Sequence, residues 1–141
     1  MSPPLTILAF DYGRKYIGVA VGQGVTRTAT ALTTLPARDG EPDWAHLKRL
    51  IDEWRPTRLV VGLPLNMDGT MSEMAEAARA FAAVLGRRHA LPVVMCDERL
   101  TSFEARGMSD DPDERHALAA KLIAESYLAG SGGTPPVGAV S

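Results

Sequence analysis

Three stretches of this chain carry side chains that could do chemistry together. Asp11 ends the apolar run Leu5–Phe10 and is followed by Tyr12-Gly13. Asp97 and Glu98 end a second apolar run, Pro92–Cys96. Asp113 and His116 stand at i and i+3 near the start of a third segment, a spacing that puts both on one face of a helix. Converging carboxylates repel one another and hold their protons more tightly unless a cation neutralises them. A hard divalent ion with oxygen ligands, Mg²⁺ or Mn²⁺, is the economical neutraliser. Taken singly, each acid also has a plainer reading as a turn former or surface carboxylate. Asp113 and Glu114 suit the positive end of a helix dipole, and His116 reads equally as a partly buried helix residue.

The elements that must position these groups are legible from periodicity. Leu5–Phe10 reads as a buried strand running into a turn. Lys15–Gly22 reads as a second, with Ile17, Val19 and Val21 on one face and Gly18, Ala20 and Gly22 on the other. A face of small residues means close approach by a helix or a ligand. Thr28–Leu35 completes an antiparallel meander. A helix follows from Asp43, its cap, to Arg55, with Trp44, Leu47, Leu50, Ile51 and Trp54 on one stripe. That stripe reads as core, with a dimer face as the alternative. Pro56 stops the helix, and Arg58–Leu63 is the fourth strand. After the loop Pro64–Gly69, Thr70 and Glu73 have capping-box spacing. Met74, Ala78, Phe81 and Leu85 form the stripe of a second helix, ended by Gly86 or extended through Arg87-Arg88-His89. Pro92–Cys96 is the fifth strand. The last helix is capped by Asp111, with Pro112 in its first turn, a body over Arg115–Ala129 and Gly130 as its stop.

The order β-β-β-α-β-α-β-α predicts an α/β fold, a five-stranded mixed sheet with helices on both faces. It forms one domain over residues 1–130, with a flexible tail over 131–141 rich in Gly, Pro, Ser and Thr. If the strands ending at Asp11 and at Asp97-Glu98 are neighbours, their acidic ends converge at the carboxyl edge, where open α/β sheets place ligands.

Composition narrows the function classes. The 141 residues are 45% hydrophobic and 23% charged, enough for one globular core. No apolar run approaches the ~18–20 residues that span a bilayer, and the first residues do not resemble a signal peptide. The one cysteine, Cys96, cannot form an internal disulfide, which fits a reducing cytoplasm. Fifteen Lys+Arg against seventeen Asp+Glu leave a net charge of −2, so this is no polybasic nucleic-acid coat.

Four ordered blocks resemble the YqgF/RuvX family. They are Phe10-Asp11-Tyr12-Gly13-Arg14-Lys15-Tyr16-Ile17-Gly18-Val19-Ala20-Val21, Val60-Val61-Gly62-Leu63-Pro64-Leu65-Asn66-Met67-Asp68-Gly69, Asp97-Glu98-Arg99-Leu100-Thr101-Ser102-Phe103-Glu104-Ala105, and Ala117-Leu118-Ala119-Ala120 with Tyr127-Leu128. The resemblance spans Leu5 to Leu128 and implies a ribonuclease H-like fold. It implies a metal-dependent nuclease related to Holliday junction resolvases and associated with 5′-end maturation of pre-16S rRNA. Carried over by position, Asp11 and Glu98 match acids of the first and third blocks. His116 stands where the family usually has Asp, and the connection from Glu104 to the last helix is shorter than usual.

The expected mechanism is a two-ion, in-line hydrolysis of a phosphodiester bond. Asp11, Glu98 and His116 are the expected ligands of Mg²⁺ or Mn²⁺. Asp113 assists His116, which holds an ion or passes a proton. Arg14, Lys15 and Arg99 are candidates for strand phosphates, with ordinary surface cations as the alternative. Asn66 either bonds the nucleic acid or serves turn chemistry. The expected partner is RNA, with no membrane, for a cytoplasmic monomer or homodimer. Two rivals stay open: a dimeric resolvase acting on branched DNA, and a nucleic-acid-binding factor in transcription or ribosome assembly with weakened catalysis. An actin-like ATPase also uses an Asp-x-Gly hairpin, but it needs two related domains.

Overall fold

The computed structural model describes residues 5–97, 112–129 and 136–137. Strands β1 (Thr6–Asp11), β2 (Tyr16–Gln23) and β3 (Thr28–Arg38) form the antiparallel meander. Next come β4 (Glu41–Pro42), α1 (Trp44–Trp54), β5 (Arg58–Leu63) and α2 (Glu73–His89). The chain closes with β6 (Val93–Asp97), α3 (Pro112–Leu128) and β7 (Pro136–Val137). The sheet order is β4-β3-β2-β1-β5-β6-β7.

The five expected strands are present, but among the described residues the sheet has seven. The two additions are two-residue edge strands, each containing a proline and each defined by its neighbour rather than by its own pattern. β4 pairs with the end of β3, and β7 pairs with Val93 and Val94 of β6. A segment read as tail therefore supplies an edge strand.

β1 and β6 are not neighbours. β5 lies between them and is parallel to both, with Phe10 opposite Val61 and Leu63 opposite Asp97. The carboxyl ends of all three strands still share one edge, because parallel strands end on the same side.

Strand alternation sorts the core into two layers. Leu8 and Phe10 of β1 join Ile17, Val19, Leu47, Ile51, Phe81 and Leu85 in a cluster under α1 and α2. Ile7 and Ala9 face the opposite way and meet Val60, Cys96, Ile123 and Ala124 under α3. The α1 stripe is thus core, with Leu47 and Ile51 buried.

The helix ends follow local chemistry. Asp43 caps α1 by accepting from the Ala45 and His46 amides at 3.0 and 3.3 Å. α2 is capped by Ser72, not Thr70: the Ser72 hydroxyl accepts from the Ala75 amide at 2.9 Å. Thr70 is diverted because its hydroxyl and amide both donate to Asp68, at 2.6 and 3.0 Å, so the helix begins beyond that turn. α2 runs through Gly86 to His89. Asp111 and Gly130, the expected stops of α3, lie outside the described residues.

Candidate active site

β1 alternates Ile7 and Ala9 toward α3, and Asp11 continues that series at the carboxyl edge. There the His116 Nδ1 lies 2.8 Å from Asp11 Oδ2. An ionised carboxylate only accepts, so Nδ1 carries the hydrogen and donates, and Nε2 of a neutral ring keeps its lone pair. The pair is half-sheltered, with the His116 and Asp11 side chains 25% and 13% exposed. Water reaches them, but the walls lower the local dielectric and strengthen the interaction.

The depth of α3 against the sheet makes this contact. Asp11 pairs with Gly18 across the β1–β2 ladder. A Cβ on Gly18 would fall 2.0 Å from the His116 carbonyl oxygen and 2.9 Å from the Ala117 amide nitrogen. Only glycine lets the helix backbone come this close. The Tyr16 ring, at the start of β2, lies 5.7 Å from the imidazole at 33° and flanks it. Neither Gly18 nor Tyr16 stood out as a site residue. The small face of β2 was the available signal for Gly18.

The other candidates are placed as follows. Arg14 and Lys15 are exposed in the β1–β2 connection beside Asp11. Their carbonyls accept from the Gly40 and Ala37 amides at 2.9 and 2.8 Å, which leaves the cationic side chains at the surface. Asn66 is exposed, and its side-chain amide donates to the Thr70 hydroxyl at 3.0 Å while its backbone amide donates to the Thr70 carbonyl at 2.9 Å. This is turn chemistry. Asp113 belongs to the first turn of α3, on the turn before His116. Glu98 and Arg99 lie outside the described residues, as does the Asp113 side chain. Asp97 ends β6 opposite Leu63.

Among the described residues no three His, Cys, Asp or Glu side chains gather as a metal site. Asp11 and His116 do bring a carboxylate and an imidazole together, and Asp11 Oδ1 and His116 Nε2 take no part in their hydrogen bond. An oxygen and a nitrogen donor fit a small divalent cation. The imidazole moves the preference from Mg²⁺ toward Mn²⁺.

The sheet order, the helices on both faces and an acid at the end of the first strand define an α/β protein of the ribonuclease H-like class. T. thermophilus RuvC in complex with Holliday junction substrate has a similar fold, with a TM-score of 0.53 over 94% of this chain and 99% of that chain, at 15% identity. Residues 5–130 match the family described as "RuvX: Holliday junction resolvase", and this chain belongs to that family. A protein of Azotobacter vinelandii is 51% identical over 92% of this chain and 96% of its own length. One of Coxiella burnetii is 49% identical over 88% of this chain and 92% of its own length. Both bear the name "Putative pre-16S rRNA nuclease".

Among the described residues no helix is long and apolar enough to cross a membrane.

Proposed function

We propose that this protein is a divalent-cation-dependent endonuclease that trims the 5′ end of pre-16S rRNA in the cytoplasm. The observation that carries the reading is the Asp11–His116 pair at the carboxyl edge of the sheet. The names of the relatives supply the substrate.

In this reading Asp11 has two tasks. Its Oδ2 fixes the imidazole tautomer, an orienting role that carboxylates commonly serve beside ligating histidines. Its Oδ1, with His116 Nε2 and Glu98, holds the cation. We assign Glu98 this role because it matches the acid of the third family block. A cation so held would supply Lewis-acid charge at the scissile phosphate. Asp113 supports His116 from the preceding turn. Arg14, Lys15 and Arg99 hold strand phosphates, which sets register without reading sequence. We assign Asn66 to holding its loop.

The test is cleavage of a pre-16S rRNA 5′ fragment, single-stranded DNA and a four-way DNA junction, with Mg²⁺ and Mn²⁺ in parallel. We expect the RNA to be cut, and Asp11→Asn to lose about 10²-fold or more in rate while remaining folded. Undiminished cleavage by Asp11→Asn refutes the site. Junction cleavage by a protein with the mass of a dimer would favour the resolvase reading that the family description carries.

A further inference from the structure

A concave site lies across the sheet from the Asp11–His116 pair. It is a cleft of about 240 Å³ between the β1–β2 connection, the β3–β4 turn, the start of α1 and the middle of α2. Three aromatic rings form its apolar wall. Phe81 is at the centre, with Tyr12 stacked on it at 4.8 Å and 29° and Trp44 at 5.8 Å and 23°. Of the three, Phe81 alone is buried, as core. Tyr12 and Trp44 are half-exposed.

Both outer rings are fixed by their polar tips. The Tyr12 hydroxyl donates to the Gly40 carbonyl at 3.1 Å, and burial pushes its pKa up, so it stays a donor. Trp44 Nε1 donates to Glu41 at 2.9 Å, and Arg88 lies 4.3 Å from the centre of that ring. Gly40 has φ of +83°, and a Cβ there would strike the Tyr12 oxygen at 2.0 Å. The turn is therefore shaped around the tyrosine. The Gly40 amide in turn donates to the Arg14 carbonyl at 2.9 Å, which ties the cleft to the loop that follows Asp11.

The polar rim consists of Arg14, Asp39 and Glu41. Two carboxylates disfavour a phosphate inside the cleft, but they accept well from amino N–H groups. Arg14 offsets one of the two negative charges, which weakens the attraction of a cationic protein side chain. What fits a flat aromatic wall, an acceptor-rich rim and this volume is one planar heteroaromatic ring bearing an amino group. Pockets for larger ligands run to about 300–1,000 Å³. Aromatic side chains are the usual platform for unpaired bases. Asp11 faces α3 and the adjoining Tyr12 lines the opposite face, so a strand crossing the carboxyl edge meets both.

We propose that the Tyr12–Phe81–Trp44 cleft binds one unpaired base of the substrate strand and selects bases that carry an exocyclic amino group. This rests on the reading that the protein acts on nucleic acid, but it does not need cleavage. The test is titration of the unaltered protein with guanosine, cytidine, adenosine and uridine, without metal. The signal is the NMR shift of the Trp44 indole N–H and the Gly40 amide, assigned with Trp44→Phe. Guanosine, cytidine and adenosine should give saturable shifts at those two groups, and uridine should bind about tenfold more weakly, the low end of what a paired edge contact gives. The double variant Asp39→Asn/Glu41→Gln should reduce that preference to about twofold or less. Both replacements keep the side-chain shape, and Asn tolerates the positive φ of Asp39.

The proposal is overturned if no nucleoside perturbs Trp44, if uridine binds as well as guanosine, or if an arginine peptide shifts Trp44 and nucleosides do not. Metal-dependent RNA cleavage without nucleoside binding would sink this inference and leave the nuclease reading standing. Selective nucleoside binding without cleavage of any substrate would do the reverse.

Discussion

Asp11 and His116 are 105 residues apart in the chain and 2.8 Å apart in the fold. The contact joins the first strand to the last helix, so it forms only when the meander and α3 are both in place. Its geometry depends on Gly18, whose missing Cβ sets how deeply α3 sits. A packing choice in β2 thereby becomes a distance between a carboxylate and an imidazole.

The substitution His116→Asp separates two roles for the histidine. If His116 serves as a cation ligand, an aspartate should retain Mg²⁺-dependent cleavage within about tenfold and narrow the advantage of Mn²⁺. His116→Ala should lose about 10²-fold or more. Parallel rate measurements in the two metals decide this. Total loss in His116→Asp under both metals would assign the imidazole a proton-carrying role instead.

Gly18→Ala should damage the site without touching its chemistry. The added methyl meets the His116 carbonyl carbon and oxygen at 2.3 and 2.0 Å, which are backbone atoms that cannot swing aside. Overfilling of this kind costs about 1–3 kcal/mol. We expect a lower urea midpoint and a loss of cleavage larger than the fraction unfolded explains. Ala20→Ser, on the same face and two residues on, is the control for general sensitivity of β2. Wild-type activity in Gly18→Ala would show that the position of α3 does not govern the pair.

Much of this was legible in the sequence because β2 alternates large β-branched residues with small ones. Ile17, Val19 and Val21 against Gly18, Ala20 and Gly22 told of an element packed closely on β2, and α3 is that element. Order within the sheet was not legible. Nothing local says that β5 inserts between β1 and β6, because that is a property of the crossover connections. The start of α2 misled for a chemical reason: Thr70 and Glu73 have the right spacing, but Asp68 competes for the Thr70 hydroxyl. β4 and β7 escaped because two residues with a proline carry no period. Asp11 and His116 were both expected at the site. Their direct hydrogen bond was not, since it depends on how deeply α3 sits on the sheet rather than on spacing.

At the opposite end of β5, Arg58 Nη1 donates to the Tyr127 hydroxyl of α3, and Arg58 Nε is buried with no partner among the described residues. Removing this acceptor would strand a cation whose Nε already lacks a partner among the described residues. Tyr127→Phe should therefore cost about 1–3 kcal/mol in chemical denaturation. Arg58→Met/Tyr127→Phe should cost less than Tyr127→Phe alone, because replacing both partners removes the orphan. If the double variant is the less stable, the bond contributes more than its desolvation takes away.

His89 gives the fold a pH dependence with a defined sign. It ends α2, its Nε2 is buried with no partner among the described residues, and its pKa is held below the ordinary value. Burial is the main cause and Arg88 the second, with Lys48 adding to them and Asp52 opposing. In the unfolded chain the ring binds a proton near pH 6.5. Between that pH and the lower native value the unfolded state holds more protons, so stability falls as pH drops through this window. Below the native value the loss levels off, and above about pH 7.5 His89 contributes no slope. His89→Gln cannot titrate and should lose this part of the dependence. Urea midpoints of both proteins at pH 7.5 and 5.5 provide the check. The wild type should drop further than the variant over that interval. Equal drops would place the acid sensitivity in other groups.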